Sequence, residues 1–528
     1  MKKTALIISA LLIVSSAFAQ TASDALLYSQ TQYEGTARTL AMGNAFTALG
    51  GDIGAVTINP AASGVMRNWQ FSFTPEFINS RNNTTYLGNT TTLGRTNFTL
   101  SSAGMVMAFN TDNYSGLMNF NIGFTFNRTG SYNSVMAAYG GRTDKSSMLA
   151  AIANDLYGTS MFDLDKEDDY DPFYDSNIPW QDILAWQTYG IAPVDVISTT
   201  EYIASTENVD DKTRTIAVGG DLDQDFYRRT IGGSSEFAFN FGGNINDAIY
   251  FGVNLNILSV DYTINESYTE AAVNPSVFQD GFVSMISDYW QHTTGAGFNA
   301  KFGLIANPVG GLRLGATFTT PTWLNLTDEW QSSMKTSFTN GNSYPLDSPT
   351  GAYDYKVKSP AKWSIGAAYV IGDLGLVSFD YEGTNYSRLL MTDYNKNTTE
   401  FKNENSDIRN YFGVSTTLRA GAEVWLNDIV ALRAGYNYYS PASKHTQSYV
   451  GGNSKTALSA NAFMPVSMIS GGLGFRVGRS MTIDVAYQRV MRTAEKFQLY
   501  DNYLGLSDFG GVYRKSLNKF NFTLGWNF

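Results

Sequence analysis

The chain closes on Phe520-Asn521-Phe522-Thr523-Leu524-Gly525-Trp526-Asn527-Phe528, where every second residue is large and apolar. A strand turns successive side chains to opposite faces. One face here is therefore greasy, and the other carries Asn521, Thr523, Gly525 and Asn527. Lipid on one side and water on the other would satisfy such a strand. The same period-two pattern recurs at about 69–77, 94–109, 116–127, 230–245, 248–267, 292–306, 311–321, 354–370, 375–388, 409–426, 429–440, 466–477, 480–493 and 512–528, about fourteen segments in all.

The connections between these segments alternate between short and long. Short ones such as Asn246-Asp247, Asn307-Pro308-Val309-Gly310, Asn427-Asp428 and Gly478-Arg479 carry residues that reverse a chain tightly. The long ones fall at about 78–93, 128–229, 268–291, 322–353, 389–408, 441–465 and 494–511. Membrane barrels have short turns at one rim and long loops at the other, and an even strand number brings both ends to the short-turn side. The pattern predicts an all-β fold, a transmembrane antiparallel β-barrel of about 14 strands spanning 69–528, with its largest loop at 128–229.

Composition narrows the function classes. The chain holds 33 Phe, 32 Tyr and 49 Gly with a slightly negative mean hydropathy, so its apolar content is spread over alternate positions. With no cysteine, disulfides and thiol chemistry are excluded. The two histidines, His292 and His445, lie in no catalytic motif, and neither an enzymatic role nor a cofactor is expected. A net charge of −11 argues against nucleic-acid binding.

The start of the chain reads as an export signal, residues 1–19. Lys2 and Lys3 precede a short apolar run from Ala5 to Val14, and Ala17-Phe18-Ala19 supplies the cleavage pattern, leaving Gln20 as the mature N-terminus. Residues 20–68 are rich in small residues and poor in charge. They could form a periplasmic tail or a plug folded into the lumen, and the small residues and low charge favour the plug.

Within that stretch, Ala37-Arg38-Thr39-Leu40-Ala41-Met42-Gly43-Asn44-Ala45-Phe46-Thr47-Ala48-Leu49-Gly50-Gly51-Asp52, followed by Asn59-Pro60-Ala61, resembles the N-terminal hatch of the FadL/TodX family of outer-membrane transporters for fatty acids and aromatic hydrocarbons. Further stretches are similar to its Bacteroidetes-type members: Asn119 to Phe124, Gly295-x-Gly297-x-Asn299-x-Lys301-x-Gly303, Leu312 to Gly315, Thr320-Pro321-Thr322 and Ser359-Pro360. The resemblance implies a fourteen-stranded barrel with a hatch, an apolar pocket fed from the outer loops, and exit by hatch movement or through a gap at the third strand. It makes Asn59, Pro60 and Ala61 the hatch motif. Gly43, Gly50, Gly51 and Gly54 are its candidate hinges, although each glycine alone is more simply read as permitting tight packing.

Candidate ligand contacts are Phe46, Arg38, Trp180 and Trp186. Arg38, Arg67, Arg128 and Arg313 could each grip a carboxylate bidentately, with a lumen salt bridge as the plainer reading. Trp180 and Trp186 sit in an apolar stretch of the largest loop, either an exposed landing patch or the loop's own core. Asp163, Asp165 and Asp169 are the calcium candidates, but they lack the glycine and terminal Glu of a calcium loop, which favours a solvated acidic surface.

These features predict passive uptake of hydrophobic small molecules, long-chain fatty acids or similar apolar compounds, by a monomer. Its expected partners are outer-membrane lipid, lipopolysaccharide and the barrel-assembly machinery, which the aromatic C-terminus suits. The alternatives are a general porin for polar solutes and a non-transporting surface barrel, an adhesin or structural protein.

Overall fold

Alternating side chains become a closed sheet in the computed structural model, which describes residues 20–210, 212–444, 465–506 and 510–528. The signal segment and His445 lie outside the described residues. Fourteen antiparallel strands form a barrel. They are β1 (Gln70–Tyr86), β2 (Asn89–Asn110), β3 (Leu117–Ser131), β4 (Leu222–Ile245), β5 (Ile249–Ala272), β6 (Phe282–Val309), β7 (Leu312–Thr319), β8 (Lys362–Ile371), β9 (Gly375–Asn385), β10 (Val414–Trp425), β11 (Val430–Tyr439), β12 (Val466–Val477), β13 (Met481–Arg492) and β14 (Gly511–Asn527). Closure comes from β14 on β1, in register from Gln70↔Asn527 to Tyr86↔Gly511, so neither terminal strand keeps an open edge along that seam.

Outward positions carry Phe71, Phe73, Phe77, Phe520 and Phe522, all exposed, while their neighbours Ser72, Thr74, Glu76, Asn521 and Thr523 are buried inside. This apolar-out, polar-in wall defines a membrane-spanning barrel.

The expected connections need correction. The stretch 78–93 is not a loop: β1 and β2 run on to a turn at Leu87-Gly88, where φ is 44° and 85°. Two adjacent left-handed residues make the turn whose twist matches a β-hairpin. Likewise β5 and β6 extend through most of 268–291. The barrel wall therefore rises well past the greasy band, because backbone pairing continues after the outward side chains turn polar.

Two neighbouring strands are broken at one height. After β7 the chain kinks at Pro321 and resumes as Trp323–Phe338, while before β8 the strand Gly351–Lys358 stops at Pro360. Proline has no N–H for the ladder. The two breaks join instead through Ser359 N–H to Thr322 O at 2.9 Å and Thr322 N–H to Ser359 Oγ at 3.0 Å.

At the third strand the wall thins. β2 pairs with β3 only from Ser102↔Asn127 to Asn110↔Asn119. Above that, Asn89 to Ser101 of β2 has no ladder partner on this side among the described residues, since the following strand Ser134–Thr143 pairs with β4.

The N-terminal segment holds α1 (Ala22–Ser29), α2 (Ala37–Ala41), α3 (Ile53–Ile58) and a 3-10 turn at Pro60–Val65. The largest loop and its neighbours fold as a cap over the long-loop rim, with α4 (Met148–Asp155), α5 (Pro172–Asp175) and α6 (Trp180–Gln187); α7 (Lys402–Tyr411) precedes β10.

Candidate functional site

Residues 35–66 pack against inward faces all round the short-turn end. The strands are built to let them in. A Cβ added to Gly303 would stand 1.9 Å from Asn59 Oδ1, one at Gly315 2.0 Å from Thr47 O, and one at Gly435 2.1 Å from Gly43 N. At Gly252 and Gly421 a Cβ would stand 2.4 and 2.3 Å from the backbone of Pro60 and Met42. Cross-strand neighbours share this trait, as in Gly252↔Gly303, Gly315↔Gly366 and Gly421↔Gly435. Absent side chains leave a belt into which another backbone fits directly.

Asn59 is the knot of this contact. Its Nδ2 donates to Thr47 O at 2.6 Å and to Leu304 O of β6 at 3.2 Å, while its Oδ1 accepts Ala61 N–H at 3.0 Å. It is fully buried. The following Pro60 needs no N–H partner, and its carbonyl accepts Asn240 Nδ2 of β4 at 3.1 Å. Asn254 Nδ2 reaches Val56 O at 2.9 Å, and Asn119 and Asn121 of β3 donate to the carbonyls of Ser63, Gly64 and Met66. Amide side chains from the wall thus satisfy backbone that has no ladder of its own.

The candidate hinges differ in kind. Gly43 and Gly51 have φ of 63° and 77°. Gly50 and Gly54 lie against Val65 and Thr36 with no room for a side chain. Phe46 is wholly buried among Met42, Ile53 and Val56, and the Arg38 guanidinium stands 5.7 Å over its ring. Arg38 pairs with Glu423, which also binds Arg433. Arg67 pairs with Asp247. Arg128 lies 3.8 Å from Glu34 and spans the thin wall to Thr99. Gln32 and Glu34 donate their N–H groups to Thr129 and Arg128 carbonyls, so residues 32–35 back the gap from inside.

Above this closure the lumen turns apolar. α1 lies there, with Ala25 and Leu26 fully buried among Tyr262, Leu326, Tyr355, Val357, Phe401 and Ile408. Gln20 Nε2 anchors its start on Asp328 at 2.7 Å. Beside α1 is a cavity of about 140 Å³ bounded by Leu27, Tyr132, Met136, Tyr513, the carboxylate of Asp24 and three cations, Arg228, Arg492 and Lys515. Arg228 pairs with Glu266. Among the described residues, Arg492 Nε is buried without a hydrogen bond, and Lys515 Nζ donates only to the Asn133 carbonyl, at 3.1 Å. Neither cation was singled out from the sequence. The available signal was a Lys at an inward position of β14, legible only once register is known.

Trp180 and Trp186 belong to the cap and do not line that cavity. Trp180 Nε1 donates to Phe173 O at 2.9 Å and its ring meets Trp330 at 5.5 Å; Trp186 Nε1 donates to Asp165 Oδ1 at 2.7 Å. Between them Ile183, Leu184 and Ala185 are fully buried. The patch is folded down as the cap's own core. Asp163, Asp165 and Asp169 form no metal cage: no group of three or more His, Asp or Glu is placed to hold an ion among the described residues. His292 lies 3.6 Å from Asp261 on the outer wall.

A polar network ties cap to barrel. Glu270 of β5 accepts Met148 N–H at the start of α4, Gln224 Nε2 and Tyr268 OH, each at 2.8 Å, and Ser147 Oγ at 2.8 Å.

No family model matches the chain, and no curated protein matches it in sequence. In structure it is similar to the Pseudomonas putida toluene transporter TodX, at 13% identity and a TM-score of 0.50, covering 94% of this chain and 99% of that one. It is also similar to a Pseudomonas aeruginosa FadL homologue, at 13% identity and a TM-score of 0.49, covering 95% and 98%. At such identity the likeness to TodX concerns the fold: a fourteen-stranded barrel of the FadL type.

Proposed function

We propose that the chain is a passive outer-membrane channel for hydrophobic small molecules, and that long-chain amphiphiles with a carboxylate suit it best. The observation that carries this is the pairing of an apolar lumen compartment, held by Leu26 and Ala25 of α1, with a cavity whose Arg492 and Lys515 have no carboxylate within salt-bridge distance among the described residues. Residues 20–68 act as the hatch, with Asn59-Pro60-Ala61 as its latch on β6 and Gly43 and Gly51 as the positions where it turns. A ligand entering below the cap displaces α1 from the apolar compartment. Burying an alkyl chain yields about 0.8 kcal/mol per methylene, which suffices to draw it from water. Release follows from hatch movement, or sideways where β2 lacks a partner beside β3. A fold shared with a toluene transporter agrees with this reading.

Uptake of a labelled long-chain fatty acid and of a small sugar into liposomes tests it, using the intact protein and a form lacking residues 20–68. Fatty acid is expected to pass through the intact protein while sugar is excluded, and the truncated form is expected to admit sugar. Sugar passage through the intact protein would establish a general porin. Absence of hydrophobic uptake or binding would establish a surface barrel.

A further inference from the structure

One sector of the outer wall is not accounted for by transport. Four aromatic rings form a row across adjacent strands: Tyr487 of β13, Phe520 of β14, Phe77 of β1 and Phe98 of β2 are register partners in turn. Tyr487 and Phe520 lie 5.1 Å apart, as do Phe77 and Phe98. All face outward, and above this row the outward positions of these four strands are polar or glycine apart from Met491 and Val512. Toward the long-loop rim the outward positions change character at once. The next row reads Arg489, Asn518, Asn79 and Thr96; the one above it Met491, Ser516, Arg81 and Gly94; then come Arg514, Asn83 and Thr92.

Arg489, Arg81 and Arg514 are exposed, and among the described residues none pairs with a carboxylate. Nor does any outward position of β12, β13, β14, β1 or β2 above the aromatic row carry Asp or Glu among the described residues. Neighbouring strands are about 4.8 Å apart and alternate residues about 6.6 Å. The three guanidinium stems therefore spring from a patch about 10 Å wide and about 13 Å tall. Flanking them is a ladder of side-chain amides and hydroxyls: Asn79 with Thr96, Asn83 with Thr92 and Thr85 with Thr90, each at 2.9 Å. These groups keep lone pairs and protons for a further partner.

We infer that this face docks the phosphorylated headgroup of a glycolipid in the membrane leaflet around the long-loop rim, its acyl chains lying along the aromatic row. This rests on the reading of the barrel as membrane-spanning. Guanidinium groups bind phosphate in a bidentate fork and hold it far better than they hold a neutral sugar. Cations stepped over three heights match a headgroup with more than one phosphate, whereas a simple phospholipid offers a single phosphate at a single depth. The amide and hydroxyl ladder matches the sugar between the phosphates. Without an anion the three arginines would stand close together unneutralised.

The test uses the full chain, purified in detergent and mixed with a bis-phosphorylated acyl-glucosamine disaccharide lipid, its dephosphorylated form, or phosphatidylglycerol. Retained lipid is counted by native mass spectrometry, and barrel integrity is checked by heat-modifiable migration. Wild type is expected to retain the bis-phosphorylated lipid about tenfold over the other two, as bidentate charge-assisted contacts allow. R81A/R489A/R514A should lose that preference. R479A, at the opposite rim, should keep it, and R81K/R489K/R514K should recover it only in part. Equal retention of phosphatidylglycerol, or an undiminished preference in the triple alanine variant, would overturn the inference. If wild type inserts into vesicles as a barrel yet selects no glycolipid, this inference alone falls. If it does not insert, the membrane-spanning reading falls with it.

Discussion

Arg38 and Glu423 form a bidentate ion pair, Nε to Oε2 at 2.8 Å and Nη2 to Oε1 at 2.9 Å. The pair joins α2 to β10, and Glu423 is shared with Arg433 at 2.6 Å. With its Nε–Nη2 edge engaged and its charge neutralised by Glu423, Arg38 serves as a link between hatch segment and wall. Arg38→Ala is expected to lower stability by about 1.5–3 kcal/mol, the usual loss for a charged hydrogen-bonded contact. Urea unfolding in detergent measures this, and fatty-acid affinity should stay where it was.

Gly303 gives the glycine belt its sharpest test. With a Cβ only 1.9 Å from Asn59 Oδ1, Gly303→Ala must push the Asn59 latch away from β6. Sugar leakage through the variant in liposomes is expected to rise clearly above wild type. Gly310→Ala, whose Cβ meets nothing within 4 Å, should leave permeability unchanged.

Leu26 holds the compartment assigned to ligand. Leu26→Glu puts a carboxylate among Tyr262, Leu326 and Val357 and should expel α1. Apparent affinity scales with the fraction of protein that is open to ligand. Hydrophobic ligands should therefore bind tighter to this variant in fluorescence titrations, and weaker binding would mean α1 builds the site instead of filling it.

Arg492 and Lys515 together should distinguish headgroups. The double alanine variant is expected to bind a long-chain fatty acid about tenfold more weakly, equivalent to about 1.4 kcal/mol. A fatty alcohol of equal length should bind as it does to wild type, since it brings no charge to the cavity.

The cap should respond to pH through Glu207. Burial raises its carboxyl above the ordinary value of 4.5, partly offset by the Ala204 N–H it accepts. Burial also raises Asp155 and Asp501, which repel each other. The folded cap thus holds protons more tightly than the unfolded one. Its stability contribution is full below the ordinary value and is lost as pH rises through the raised one. Limited proteolysis of the cap should be slower at about pH 5 than at about pH 7.5, and Glu207→Gln should flatten the difference.

Strand number, alternation and the short-turn rim were all legible because they are local. Phe520 to Phe528 states its two faces in its own residue types, and Asn246-Asp247, with φ of 54° and 55°, states its turn. The loop at 78–93 was misread for the converse reason. Asn82 to Thr92 has no greasy face, so nothing in its pattern shows that the two halves pair from Asn82↔Leu93 to Tyr86↔Asn89.

The candidate site divides the same way. Asn59-Pro60-Ala61 could be picked out as a motif, Gly303 as the end of a spaced glycine series and Gly315 within Leu312 to Gly315, all by resemblance to the FadL/TodX family. That those glycines receive the backbone of residues 42–61 is a relation across more than two hundred positions, which no local pattern encodes. Arg38 and Lys515 look equally available as residues in a string. Strand register alone sets Glu423 beside the first and an open cavity beside the second, because a one-residue slip would exchange lumen for lipid. The sequence by itself determined a lipid-facing barrel with polar interior positions; which charges meet inside it, and which border an open cavity, was decided only when fourteen strands closed in one register around the N-terminal segment.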